Sequence, residues 1–162
     1  MAFTYVRNMI SGMGPIAPPK DNVTFTERNA GTLAKGQPLK FHTDGKVTGA
    51  AAQDLNASLI ALEAFAQAGT GRCAYILPGN VYKVPLRQAD GTVLTSGTDK
   101  SGTVVEGARV RISTNGLAAD GENIHHADNP LTIIKMEWDN TSDTTRKEAT
   151  VWVVFNRTNL VV

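Results

Sequence analysis

Cysteine is nearly absent from this chain of 162 residues, in which Cys73 is the single example. One cysteine excludes an intramolecular disulfide and a cysteine-based zinc site, and it fits a protein made in a reducing compartment. Its neighbours Ala74, Tyr75 and Ile76 predict a buried, inert thiol. Charge of one sign is also lacking, because 16 lysines and arginines face 15 aspartates and glutamates. We therefore expect neither nucleic acid nor a membrane as a partner.

Long hydrophobic runs are missing as well. The most apolar segments, residues 131–136 and 151–155, are far too short to span a bilayer as helices. Residues 1–20 lack the basic opening and the continuous apolar run of a secretory signal. The sequence therefore predicts a protein that is made in the cytoplasm and is not exported.

Groups that could carry catalysis are sparse. The three histidines are His42, His125 and His126, and the adjacent pair would point in different directions on an extended backbone. No spacing of histidines and carboxylates matches a zinc or calcium motif. No set of nucleophile, base and orienting group can be recognised. We expect no enzymatic activity, no catalytic or metal-binding residue and no cofactor.

The chain does contain alternating apolar segments broken by turn residues, a pattern typical of β-strands. Hairpins are predicted around Asp44-Gly45, Pro78-Gly79-Asn80 and Asn115-Gly116, because such residues form tight turns. A strand is predicted at residues 22–26. Pro85 predicts an edge strand or an interruption, since proline cannot donate a ladder hydrogen bond.

A further antiparallel hairpin is predicted over residues 131–155. Trp152, and Trp138 as a second candidate, would anchor the core there. Residues in one phase of the alternating strands are predicted to fill that core. They are Val110, Ile112, Ile133, Val151 and Val153.

The fold class predicted from these patterns is all-β, a compact barrel or sandwich. Composition favours a short helix over residues 55–68, with a strand through Leu59–Glu63 as the alternative. Residues 88–102 are dense in Gly, Thr, Ser and Asp, which predicts a surface excursion. A single β-rich domain is predicted to cover residues 21–162.

Residues 1–20 predict an extended N-terminal docking arm, since their apolar side chains follow neither a helical nor a strand period and prolines interrupt them. A free arm would expose those side chains to water, so they are predicted to bind a partner. The alternative is that the arm folds back on its own body. The predicted partner-binding residues are Phe3, Tyr5, Val6, Met9, Ile10 and Met13.

Several short, glycine-dependent motifs follow one another between Thr24 and Ser113. They are Gly36-Gln37-Pro38-Leu39, Asp44-Gly45-Lys46-Val47, the stretch from Ala50-Ala51-Ala52 into Leu59–Glu63, and Gly69-Thr70-Gly71 before Arg72–Leu77. In this order they resemble the head-decoration, or capsid cement, proteins of tailed bacteriophages. The resemblance implies consecutive strands of a compact β-domain, and so favours the strand at Leu59–Glu63 over the helix.

The resemblance also implies a function. Members of this family are not enzymes; they bind the outer surface of an expanded phage head and stabilise the shell. The implied partners are the major capsid protein and neighbouring decoration subunits, in a homotrimer or, alternatively, a dimer. The implied location is the outer capsid surface of the virion, after synthesis in the host cytoplasm. The loop 88–102 and the hairpin 131–155 depart from compact family members.

Two other classes of protein fit the same strand pattern. One is a β-rich virion spike or fibre-associated module that binds a tail component or a host glycan. The other is a small enzyme or ligand-binding β-barrel, which would require an apolar pocket with converging polar groups.

Overall fold

The computed structural model describes residues 2–9, 23–95, 104–124, 126–138, 146–147 and 149–156. Within these ranges the chain forms thirteen β-strands and no helix. The first seven strands are β1 (Thr4–Asn8), β2 (Val23–Thr26), β3 (Pro38–Phe41), β4 (Val47–Gly49), β5 (Ala57–Ala61), β6 (Thr70–Tyr75) and β7 (Asn80–Arg87). The others are β8 (Leu94–Thr95), β9 (Arg109–Ile112), β10 (Ala119–Ile124), β11 (Leu131–Trp138), β12 (Arg146–Lys147) and β13 (Ala149–Phe155).

Five strands close into a barrel. Their hydrogen-bonded order is β7-β10-β9-β11-β13, and β13 returns to pair with β7. The β7–β10 pair is parallel, and the other pairs around the barrel are antiparallel. The predicted all-β fold is confirmed, and so are the hairpins β9–β10 and β11–β13.

The strand β1 lies along one half of an edge of β7, and β10 takes the other half of that edge. Pro85 lies between Lys83, the last β7 residue paired with β1, and Leu86, the first paired with β10. A proline is tolerated there because no ladder partner faces this position on that edge. On its other edge β7 pairs with β13 continuously through Pro85, which faces Thr150, so the predicted interruption is confined to the side that β1 and β10 share.

A second sheet packs against the barrel. Its order is β2-β6-β5-β3-β4, and the predicted hairpin at Asp44-Gly45 is its β3–β4 pair. A bridge between Glu27 and Val47 connects the end of β2 to β4, so the two edges of this sheet approach each other. The short strands β8 and β12 pair separately.

Two hydrophobic clusters stabilise these layers. The barrel cluster contains all five predicted core residues, each of them at most 1% exposed. The second cluster lies within the second sheet and includes Leu39, Val47 and Cys73. Burial raises the pKa of the Cys73 thiol to about 12, with a smaller contribution from the charge of Glu63, so the prediction of a buried thiol is confirmed.

The strand β5 lies between the two clusters, and this overturns the helix predicted over residues 55–68. Its Ile60 belongs to the barrel cluster, whereas Leu59 and Ala61 belong to the second one. All five residues are buried. The sequence of a segment that is apolar on both faces has no periodicity that distinguishes a helix from a strand. Its hydrogen-bonded pairing with β3 and β6 makes it a strand.

One other prediction fails for the same non-local reason. The turn at Pro78-Gly79 does not close a hairpin, because β6 pairs with β2 and β5 whereas β7 belongs to the barrel. Here the chain crosses from one sheet to the other. Within the predicted surface excursion Asp90 and Thr92 are exposed, whereas Leu94 is buried in the barrel cluster. Residues 96–102 of that excursion lie outside the described residues.

Candidate protein-binding surface

The predicted docking arm is in part a strand of the fold. Residues 4–8 pair with β7, and the backbone N–H of Phe3 donates to Gly36 O at 3.1 Å. The N–H of Met9 donates to Gly79 O at 2.9 Å. The described residues of this segment are therefore tied into the body at both ends of β1. Ile10 and Met13 lie outside the described residues.

The first two predicted arm residues face the interior. Phe3 is only 3% exposed, and its ring centroid lies 5.7 Å from that of Phe155. Tyr5 is partly buried and makes an edge-on contact with Tyr82. The expectation that Phe3 and Tyr5 have nothing local to pack on is wrong, because the open edge of β7 accepts β1 and the barrel core accepts its inward side chains.

The outward side of β1 keeps the exposed apolar residues. Val6 is 41% exposed and Met9 is 46% exposed. A bulge between Tyr5 and Arg7 breaks the register at Val6. Of the predicted partner-binding residues that the structure describes, Val6 and Met9 are thus the ones that a partner could reach.

A second surface feature was not predicted. Trp152 is paired across the strands with Lys83 of β7 and with Lys135 of β11. The Lys135 Nζ lies 4.5 Å from the centroid of the indole, and the Lys83 Nζ lies 5.0 Å from it. Contacts of this kind contribute about 0.5–1 kcal/mol each at exposed sites. We call these three residues the Lys-Trp-Lys row.

The row lies on the outer wall of the barrel. Along β13 the residues 149, 151, 153 and 155 face the core, so Trp152 faces away from it. The prediction that Trp152 anchors the core is therefore wrong. Strand alternation alone predicts this orientation. Val151 and Val153 face the core, and the residue between them on a strand must face the opposite side. The side chain of Trp138 lies outside the description.

A mostly apolar cavity of about 310 Å³, partly open to the surface, lies between β1, β7 and the second sheet. Its lining includes Tyr5, Ile60, Tyr75 and Tyr82. Asn80 Nδ2 donates to the Tyr82 hydroxyl at 3.2 Å, which places polar groups at the wall of the cavity. Burial raises the pKa of Tyr82 to about 12, although the Asn80 hydrogen bond acts in the opposite direction.

The histidines take separate positions. His42 bonds with Arg28 at 2.8 Å and with Thr48 at 3.0 Å. His126 is exposed, and His125 lies outside the described residues. In the described part of the chain, no three His, Cys, Asp or Glu side chains are grouped so that they could hold a metal ion.

The sequence matches no model of a known protein family and no curated protein. Among the described residues there is no helix long and apolar enough to cross a membrane.

Proposed function

We propose that this protein is a non-enzymatic decoration protein that binds the outer surface of a bacteriophage head and stabilises the expanded shell. Its partners would be the major capsid protein and neighbouring copies of itself, in a homotrimer or a dimer. It would be made in the host cytoplasm and reside on the outer capsid surface of the virion.

The observation that carries the proposal is the strand structure of residues 38–75. The motifs that resemble decoration proteins imply consecutive strands here, against the helix that composition favours. Four strands, β3 to β6, occupy this segment and belong to one sheet. Strand β5 agrees with the strand that the resemblance implies, whereas composition alone favours a helix there. This agreement supports the resemblance.

The surface of β1 supports a role in binding proteins. Val6 and Met9 are large apolar side chains left in contact with water next to a strand that is itself fixed in the barrel. A rigid strand that presents apolar side chains loses little conformational entropy on docking. On a repeating shell, several copies in one oligomer would add modest contacts into tight binding.

Sedimentation with phage heads tests the proposal. Purified protein is mixed with expanded and with unexpanded heads of the phage that encodes it, and the pellet is assayed for the protein. We expect saturable binding to expanded heads and little binding to unexpanded ones. Binding to isolated tails but not to heads would instead support the spike or fibre-associated module, and binding to neither particle would refute both assignments.

A second candidate function follows from the apolar cavity. Its volume and the adjacent Asn80–Tyr82 hydrogen bond meet the requirement for a small apolar ligand with one polar group. Saturable binding of a hydrophobic fluorescent dye that is lost in Ala74→Trp, which would fill the cavity from β6 beside Ile60, would favour this function. The control is Ala64→Trp at an exposed position outside the cavity.

A further inference from the structure

The cations of the barrel wall are largely uncompensated. The basic residues on β1 and on the barrel strands are Arg7, Lys83, Arg87, Arg109, Arg111 and Lys135. Within the described residues only Lys135 forms an ion pair, with Glu137 at 2.7 Å. Each of the other two carboxylates on these strands accepts a backbone N–H: Asp120 from Glu122 at 2.8 Å, and Glu122 from Ala89 at 2.6 Å.

The second sheet and its loops differ in this respect. Three of the four ion pairs among the described residues lie there, and each joins one cation to one carboxylate. They are Arg28–Asp44, Lys40–Asp54 and Arg72–Glu63. The chain as a whole has a formal charge of only +1. Among the described residues, most ion-paired cations therefore belong to the second sheet and its loops, whereas most cations of the barrel strands have no carboxylate partner.

The Lys-Trp-Lys row lies within this wall. Both ammonium groups are within 5.0 Å of the same ring centroid, so they are closer together than a Debye length of about 10 Å at 0.1 M salt. Like charges at this separation repel each other, and Glu137 already offsets part of this repulsion by pairing with Lys135 at 2.7 Å. Among the described residues, Lys83 is the lysine of the row that has no carboxylate partner. The tryptophan supplies a rigid apolar contact between the two charges, a combination typical of interface centres.

We propose that the barrel wall around Lys83, Trp152 and Lys135 is a docking surface for an acidic protein surface, whose carboxylates pair with Lys83 and take the place of the exposed Glu137 at Lys135. The chemistry of the row favours a protein over a nucleic acid. Single-stranded nucleic acids bind by stacking bases on an open aromatic face. Here both ammonium groups lie over the indole ring, where a base would stack. The identity of the partner rests on the proposed function: if the protein decorates a phage head, the acidic surface belongs to the head shell.

The first test does not require phage heads. Trp138→Phe leaves Trp152 as the one tryptophan, so its fluorescence reports on the row. Poly-L-glutamate is titrated into this protein, and an oligo-deoxythymidine of equal charge is titrated separately. We expect poly-L-glutamate to change the emission with an affinity that falls as salt is raised. Tighter binding of the oligonucleotide, or no response to poly-L-glutamate, would overturn the proposal.

Charge-neutral variants provide the matched control. Lys83→Gln combined with Lys135→Gln should weaken binding of poly-L-glutamate about tenfold, because two ion pairs are lost. Lys35→Gln combined with Lys46→Gln removes two exposed lysines elsewhere and should leave the affinity unchanged. An equal loss in both double variants would mean that only net charge matters, which would contradict a docking surface at the row.

Heads then separate this inference from the proposed function. If unmodified protein binds expanded heads and the Lys83→Gln, Lys135→Gln variant binds them equally well, the inference fails and the proposed function stands. If unmodified protein does not bind heads but the row discriminates in the poly-L-glutamate titration, the proposed function fails and the acidic-partner surface stands.

Discussion

At the scale of single residues, Glu27 carries the clearest electrostatic signature. It is 1% exposed, and its carboxylate accepts backbone N–H groups of Asn29, Ala30 and Ala68, each at 2.7 Å. Burial pushes its pKa upward, but the hydrogen bonds from Ala68, Ala30 and Asn29 outweigh burial and hold the pKa below the ordinary value of 4.5. The carboxylate thereby ties the loop after β2 to the turn before β6.

Glu27→Gln should lower the free energy of unfolding at pH 7 by about 1–3 kcal/mol, because an amide NH₂ would face part-buried N–H donors. Since the native pKa is lowered, the contribution of Glu27 is present above pH 4.5 and is lost as the pH falls through the native value. Urea unfolding at pH 7 and pH 3 should show this loss in the unmodified protein and a smaller one in the variant. The exposed Glu106→Gln is the control, and an effect of equal size there would contradict the assignment.

Ala68 shows strain at a single position. Its φ is +55°, a region that costs an L-residue about 1–2 kcal/mol. Ala68→Gly keeps the N–H that binds Glu27, relieves the strain and adds chain entropy to the unfolded state, so a net stabilisation of about 0.5–1 kcal/mol is expected. The exposed Ala64→Gly, without a positive φ, should destabilise instead. Thermal melts of both variants decide, and a lower melting temperature for Ala68→Gly would refute the strain.

At the scale of elements, β1 must be treated as part of the fold. Phe3→Ala should lower the free energy of unfolding by about 3–4 kcal/mol, since the ring fills the barrel core beside Phe155. Val6→Ala, at a 41% exposed position, is the matched control and should change stability by less than about 0.5 kcal/mol. Equal unfolding midpoints in urea for the two variants would show that β1 does not contribute to the core.

This result also changes how the arm can be tested. Deleting residues 2–20 would not test docking alone, because the deletion removes the buried Phe3 and all of β1. Substitutions at Val6 and Met9 probe docking without that loss, because both side chains are exposed.

An element could be predicted from the sequence where neighbouring residues determine it, and could not where it depends on pairing with distant segments. The β9–β10 hairpin was predictable because Asn115-Gly116 forms the turn and β9 before it alternates cleanly, although the polar strand β10 does not alternate. Pro78-Gly79 also forms a turn, yet its flanking strands pair with distant segments, and no local signal reports that. Strand β5 was ambiguous because it is buried on both faces.

The candidate surfaces were predictable to a smaller extent. Val6 and Met9 were identified from their apolar character, and Phe3 and Tyr5 for the same reason, although burial separates the two pairs. The Lys-Trp-Lys row joins residues from three strands that are far apart in the sequence. Its members come together only through the strand register, which composition does not contain.

At the scale of the whole molecule, a closed barrel, a second sheet and a strand that fills the open edge of β7 give one continuous body with two surface features. These are the exposed side of β1 and the Lys-Trp-Lys row. A decoration protein needs such a rigid body, because the shell lattice fixes the positions of all its contacts.

The copy number of the protein in purified virions tests this account most directly. Its amount relative to the major capsid protein is measured by quantitative gel densitometry across independent preparations. The account predicts a constant ratio set by the repeating positions of the shell, in filled and in emptied heads alike. A few copies per particle that are removed together with the tail, or the absence of the protein from virions, would contradict it.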